Sequence, residues 1–94
     1  MGMKLLTENL AYKVLQVSLA AGEEMSRHFA TSEAFIIVEK GEAVVLFTDQ
    51  EVQLQAGSTL AIPATKPHTL VVKQDFRANV ILAGGSKIMF SDQA

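Results

Sequence analysis

Apolar and polar residues alternate along much of the chain, and this pattern predicts strands rather than helices. In residues 13–19, leucine and valine alternate with glutamine and serine, which is the period-two signature of a half-buried strand. Glycines, prolines and short polar runs separate such segments. We predict eight to ten short strands, represented by residues 13–19, 25–30, 34–39, 43–47, 51–55, 59–62, 70–72, 78–83 and 87–90. One helical turn within the first ten residues stays open as an alternative.

Short strands separated by turns are typical of an antiparallel sandwich or barrel. The length of 94 residues suits one domain, which we expect to span residues 1–94. With 49% hydrophobic residues the chain can form an ordinary core, and it contains no cysteine for disulfides or thiolate metal sites. We therefore predict an all-β fold, a small antiparallel β-barrel.

Two predicted strands, residues 34–39 and 43–47, are apolar on both faces. Phe35 and Ile37 would point away from the face that carries Ile36 and Val38. One face of each strand in a lone small antiparallel barrel should meet water. A second sheet of the same chain or a partner subunit could cover Phe35 and Ile37. We expect partial cover by a second copy of the chain, because a symmetric homodimer is the commonest assembly.

Charge and hydropathy exclude several classes of partner. The net charge is −2, and lysines and arginines are scattered singly rather than grouped in a basic stripe. We therefore expect no nucleic-acid partner. No apolar run is long enough to cross a membrane, and the first residues lack a signal-peptide pattern. We expect a cytoplasmic protein with no membrane partner.

The chain's only two histidines lie in two stretches that each begin with a glycine. The first stretch, GEEMSRHFATSEAFIIVEKG, runs from Gly22 to Gly41 and places His28 in a predicted strand. The second runs from Gly57 to His68. Strand alternation predicts Ser26, His28 and Ala30 on one face, and Met25, Arg27 and Phe29 on the other.

These glycines and histidines, within about residues 11–83, resemble the two motifs of the cupin family of small single-domain barrels. The first family motif is G-x5-H-x-H-x3,4-E-x6-G, and Gly22, His28 and Gly41 match its first glycine, first histidine and last glycine. The resemblance implies the RmlC-like jelly roll of that family, also called a double-stranded β-helix.

The second family motif is G-x5-P-x-G-x2-H-x3-N. Gly57, Pro63 and His68 match its first glycine, its proline and its histidine. Thr65 replaces the inner glycine, and Val72 replaces the final asparagine.

Metal-binding cupins hold one divalent ion with the two histidines and glutamate of the first motif and the histidine of the second. Here Ala30 and Ala34 stand at two of those four positions, so only His28 and His68 remain. Catalytic zinc usually has three protein ligands, and non-heme iron commonly uses two histidines and a carboxylate. We expect no tightly bound cofactor, with weak binding of Zn, Ni, Fe or Mn by the two imidazoles as the alternative.

Glu33 is a candidate third ligand, because it precedes the expected glutamate position by one residue. In a regular strand this slip would turn its side chain to the opposite face. A β-bulge at the start of the strand would turn it back toward the histidines. Glu33 therefore stays a candidate beside His28 and His68.

The substitution of two ligands by alanine removes side-chain volume from the expected centre of the barrel. The predicted pocket lining comprises His28, Ala30, Ala34, Ile36, His68, Leu70 and Val72. An apolar pocket with a few polar groups is the usual make-up of a small-molecule site. The alternative is that Phe47, Met25 or Phe76 fills this space as ordinary core.

Two functions follow from these residues. The first is a cupin that binds a small molecule in the barrel without a full metal centre. The alternative is a metal-dependent enzyme of the dioxygenase, isomerase or decarboxylase type that uses His28 and His68. The fold alone does not choose between them, since function depends on the site. In a metal-free apolar pocket, burial should lower the pKa of both histidines.

Overall fold

The computed structural model describes residues 2–91, and within that range the chain forms strands and no helix. The eight strands are β1 (Gly2–Glu8), β2 (Tyr12–Leu19), β3 (Glu24–Ala30), β4 (Ala34–Leu46), β5 (Glu51–Gln55), β6 (Thr59–Ile62), β7 (His68–Ala83) and β8 (Ile88–Phe90). The predicted all-β fold is therefore confirmed. None of residues 2–91 belongs to a helix long and apolar enough to cross a membrane.

All strand pairings are antiparallel, and β7 is the strand that joins the sheet together. The hydrogen-bonded order is β1-β2-β7-β3-β8, and β4 pairs with β7 while also holding β5 and β6. The C-terminal half of β7 lies beside β2, from Phe76 to Ala83. Its N-terminal part lies beside β3. The two halves of one strand thus connect the two parts of the curled sheet.

The core lies on the inner face of this sheet, where every second residue is apolar. In β2 the alternation is regular, with Leu15, Val17 and Leu19 buried. The largest fully buried side chains are Ile62, Val45 and Val72. Burying side chains of this size is worth about 1.5–3 kcal/mol each, so this inner face supplies the main stabilisation of the fold.

Strands β4 and β7 are longer than the sequence predicts. The predicted breaks between strands at residues 40–42 and 73–77 lie inside these two strands, which is a correction. The pairing of β4 with β7 shifts register between residues 38 and 43, so the polar residues there form bulges rather than a chain reversal. Gly41 has a φ of +89°, and a Cβ added to it would overlap the carbonyl of Asp75. The two strands therefore bend together, in close backbone contact.

The alternative of a helical turn in the first ten residues is wrong, because Gly2–Glu8 is strand β1 paired with β2. The turn between them is made by Asn9, whose side-chain Oδ1 accepts hydrogen bonds from the backbone N–H groups of Ala11 and Tyr12, at 2.8 and 2.9 Å. This use of an asparagine side chain is a typical turn signal. Every residue of β1 is exposed, and the strand is held by its pairing with β2 and by a hydrogen bond of 3.2 Å from the Gly85 N–H to Glu8 Oε2.

Gly41→Ala should destabilise the protein by about 2 kcal/mol or more, because the new Cβ meets backbone atoms in addition to the strain of a positive φ. Gly22 is the matched control, since its φ is also +89° but no atom lies within 4 Å of an added Cβ. Gly22→Ala should cost about 1 kcal/mol. Urea denaturation measures the free energy of unfolding of both variants. Equal losses of this free energy would contradict the close contact between β4 and β7.

Candidate functional site

The two histidines face each other across neighbouring strands. His28 of β3 and His68 at the start of β7 are directly opposite in the antiparallel register. Their ring centroids are 4.2 Å apart and the ring planes meet at 61°. Both side chains are buried, with exposures of 6% and 7%. Residues forty positions apart in sequence therefore form one pair, which strand pairing brings into contact.

A bulge in β3 determines which residues accompany His28. The register with β7 shifts between Met25 and His28, and both of these side chains are buried while Ser26 and Arg27 are exposed. The expected faces of this strand are therefore partly wrong. His28 and Ala30 share a face as predicted, but Ser26 does not join them, and Met25 does. The extra residue of the bulge reverses the alternation on its N-terminal side.

Hydrogen bonds to the backbone fix the tautomer of each imidazole. Nδ1 of His28 lies 2.7 Å from the carbonyl oxygen of Ser26, and Nδ1 of His68 lies 2.9 Å from that of Lys66. A carbonyl oxygen only accepts, so this hydrogen-bond network assigns the proton of each neutral ring to Nδ1. The Nε2 atom of each ring then carries a lone pair, and no residue in the described range bonds to it.

Burial keeps both rings neutral. It lowers the pKa of His28 from 6.5 to about 4, although the hydrogen bond to Ser26 opposes this shift, and the charge of a protonated His68 would lower it further. Burial likewise lowers the pKa of His68, with the hydrogen bond to Lys66 in opposition. The charged form of a histidine is disfavoured wherever water is excluded. At pH 7 the pair therefore presents two uncharged imidazoles.

The histidines form the polar part of the wall of an otherwise apolar cavity of about 50 Å³. Six of the seven residues expected to line a pocket do so, namely His28, Ala30, Ala34, Ile36, His68 and Leu70. Val72 is buried on the same face of β7 but forms no part of the wall. The volume offers room for about two water molecules.

Further lining residues come from every strand from β2 to β8. They are Val17, Met25, Val45, Leu54, Ile62, Phe76, Ala78, Val80 and Ile88. Alternation along the chain marks most of them as inward-facing, but it does not indicate which inward positions meet at the histidines. Met25 and Phe76, expected as fillers in the alternative interpretation, contribute to the wall and leave the cavity open.

Aromatic side chains surround the histidine end of the cavity. The ring of Phe90 lies 5.5 Å from that of His28, and the ring of Phe47 lies 5.8 Å from that of His68. The ammonium of Lys66 is 4.5 Å from the centre of Phe47, within cation–π range. His68 also borders a surface depression of about 180 Å³ that Arg27 and Phe47 help to line. This histidine therefore separates the interior cavity from the surface.

The residues present do not form the donor set of a full metal centre. Ala34 is buried at the position of the missing glutamate, whereas Glu33 is exposed at the start of β4. Within residues 2–91 no group of three or more histidine, cysteine, aspartate or glutamate side chains lies close enough to hold a metal ion. The structure thus brings His28 and His68 together and does not bring Glu33 to them.

Lowering the pH from 7 to 5 should reduce the free energy of unfolding through the two histidines. Their pKa values are lower in the folded state than in the unfolded state, so the unfolded chain binds more protons below about 6.5. The expected loss is on the order of 1–2 kcal/mol, since the rings keep some contact with solvent.

Urea denaturation at the two pH values measures this loss. The control is the double variant His28→Leu, His68→Leu, which removes both titrating groups and should depend less on pH. The same pH dependence in the variant and the original chain would contradict the assignment to the histidines.

Comparison with known proteins gives a family for this arrangement. The family model described as "Cupin domain" matches residues 15–84. A solved cupin superfamily protein from Desulfitobacterium hafniense is 27% identical with a TM-score of 0.80, and the match covers 87% of this chain and 75% of that one. An RmlC-like cupin protein from Desulfovibrio desulfuricans is 25% identical with a TM-score of 0.77, covering 87% and 80%.

The fold also occurs in an enzyme. The DMSP lyase DddQ from Ruegeria pomeroyi is 20% identical with a TM-score of 0.86, and the match covers 96% of this chain and 51% of that one. At this identity the likeness concerns the fold alone. No curated protein matches the chain. The family match over the two histidine stretches, together with the barrel that contains them, shows that the chain belongs to the cupin family.

Proposed function

We propose that the protein binds a small molecule in the barrel cavity, without a full metal centre. The observation that supports this most is the pair of neutral imidazoles, 4.2 Å apart, in the wall of an otherwise apolar cavity. Concave apolar sites with a few fixed polar groups are the usual form of small-molecule sites. Ala30 and Ala34 line the cavity where metal-binding relatives would place a histidine and a glutamate, so they leave space instead of ligands.

A metal-dependent enzyme is the second candidate, and one observation favours it. Both Nε2 atoms lack a partner among residues 2–91 and belong to adjacent rings, which is how two histidines would bind one divalent ion. Against it, two imidazoles are fewer than the three protein ligands of a usual catalytic zinc site. A metal bound there would need water or substrate for its remaining positions.

Elemental analysis of protein purified without metal-affinity resin should find iron, zinc, nickel, copper and manganese far below one atom per chain. Addition of these ions should leave the melting temperature unchanged, because two ligands bind too weakly to stabilise the fold at ordinary concentrations. A stoichiometric metal that disappears in the variant His28→Ala, His68→Ala would overturn the proposal and favour the enzyme.

Filling the cavity should abolish binding of small organic probes while the fold persists. Ala34→Val places two further methyl groups in the wall, and Ala56→Val is the matched control because Ala56 is exposed in the turn after β5. Methyl NMR signals of Ile36 and Leu70, which line the cavity, should shift when probes of two or three non-hydrogen atoms are added. They should shift in the original chain and in Ala56→Val, but not in Ala34→Val. A set of such probes that shifts no methyl signal in the original chain would contradict the proposed function.

We also propose that a second copy of the chain covers the outer face of the sheet. A row of apolar residues crosses four strands there: Val14 pairs with Ile81, Ile81 with Phe35, and Phe35 with Ala61. Phe35 and its neighbour Ile37 are 39% and 37% exposed. Apolar side chains in such a continuous group commonly mark an interface.

Polar groups beside this row fit a symmetric partner. Asn79 Oδ1 is buried yet has no hydrogen-bond partner in the described part of the chain, so a donor from another chain would satisfy it. Arg77 and Glu39 form an ion pair of 2.8 Å on the same outer face. A cation and an anion side by side can meet their own copies across a two-fold axis, which favours a second copy over an unrelated protein.

Light scattering at micromolar concentration should therefore give the mass of a dimer. Phe35→Glu should shift the protein toward the monomer, because it places a charge in the centre of the proposed contact. Gln53→Glu is the control, since it adds the same charge at an exposed position of β5. A monomer mass for the original chain would contradict the second copy, and so would a dimer that Phe35→Glu leaves intact.

A further inference from the structure

We infer that the cavity selects an uncharged small molecule with a hydroxyl group, and that the hydroxyl donates its hydrogen to Nε2 of His28 or His68. This inference rests on the proposed small-molecule function and goes further by naming the ligand chemistry. It excludes carboxylates and ammonium ions as the preferred occupants.

The two rings have limited hydrogen-bonding capacity left for a ligand. The Nδ1 hydrogen of each ring is donated to a backbone carbonyl, at 2.7 Å for His28 and 2.9 Å for His68. Each neutral ring therefore has a single remaining polar atom, Nε2, which can only accept. The polar part of the cavity wall is thus a pair of acceptors, and its complement in a ligand is a donor.

These two acceptors border open space and not other protein groups. In residues 2–91, Asn79 Oδ1 is the one fully buried side-chain nitrogen or oxygen without a partner. The Nε2 atoms also lack a partner, so each borders open space, which is the cavity beside His28 and the cavity or the surface depression beside His68. An acceptor beside an apolar space is costly when its partner is missing. A ligand hydroxyl in the cavity would relieve that cost.

Charged ligands fit this wall poorly. A carboxylate offers only acceptors, so its oxygens would face the Nε2 lone pairs of the two rings without a hydrogen to share. An ammonium ion would donate, but the cavity wall contains no aspartate or glutamate to balance its charge. Moving an unpaired charge from water into such a site is strongly unfavourable. A neutral donor avoids both costs.

The size of the cavity limits the rest of the ligand. About 50 Å³ is the share of roughly two water molecules in the liquid, and the wall beyond the rings is formed by aliphatic side chains, Met25 and Phe76. A hydroxyl with a single methyl group fits both the volume and the chemistry. Methanol is therefore a suitable probe.

Three probes of similar small size are compared on the intact chain. Methanol carries a hydroxyl donor, fluoromethane lacks it, and formate is an anion. Methyl signals of Ile36 and Leu70 report whether a probe enters the cavity, and the Nε2 signals in a long-range ¹H–¹⁵N spectrum report whether it donates a hydrogen bond. Methanol should bind about fivefold more tightly than fluoromethane and should shift at least one Nε2 signal. Formate should bind most weakly.

The double variant His28→Leu, His68→Leu should bind methanol and fluoromethane equally, because it keeps an apolar cavity and removes both acceptors. If this variant fails to fold, the comparison of probes on the original chain decides alone. Equal binding of methanol and fluoromethane by the original chain, without an Nε2 shift, overturns the inference while the proposed function stands. Preference for formate also overturns it. If no probe shifts a methyl signal, the proposed function fails and the inference fails with it.

Discussion

The pairing of β7 with three other strands is the constraint on which both the barrel and the site depend. Its C-terminal half holds β2, its N-terminal part holds β3, and its other edge holds β4. The bend shared with β4 at Gly41 lets one continuous strand serve both parts of the sheet. The same strand begins at His68 and sets it opposite His28. The pairing of β7 with its neighbours therefore both joins the curled sheet and places the two histidines opposite each other.

The chemistry of the pair follows from its local backbone. Each ring donates Nδ1–H to the carbonyl of the residue two positions earlier, which is Ser26 for His28 and Lys66 for His68. The two imidazoles are therefore held by the same kind of hydrogen bond to the nearby backbone. Burial then keeps them uncharged. In a metal-binding relative such rings would be two of several ligands. Here their neighbours in the wall are aliphatic, and the pair becomes the polar end of a small apolar cavity.

The sequence predicts the fold and much of the site, because strand alternation and motif spacing are local signals. The inward positions of Ala30, Ala34, Ile36 and Leu70 follow from period-two alternation once His28 and His68 are placed. The sequence does not predict the bulge at Ser26, which moves Met25 into the cavity wall, because the bulge depends on the register with β7. The sequence also indicates a break between strands at residues 40–42. Glycine is needed there inside a strand because its backbone is in close contact with Asp75, and the sequence does not show that contact.

The central claim is that two neutral histidines direct unprotonated Nε2 atoms into an apolar cavity. The most direct measurement is a long-range ¹H–¹⁵N NMR spectrum of the ligand-free protein at pH 7, which distinguishes the two nitrogens of each ring. We predict that both rings carry their proton on Nδ1 and show the nitrogen shift of an unprotonated Nε2. A spectrum in which either ring is charged, or carries its proton on Nε2, would contradict the account.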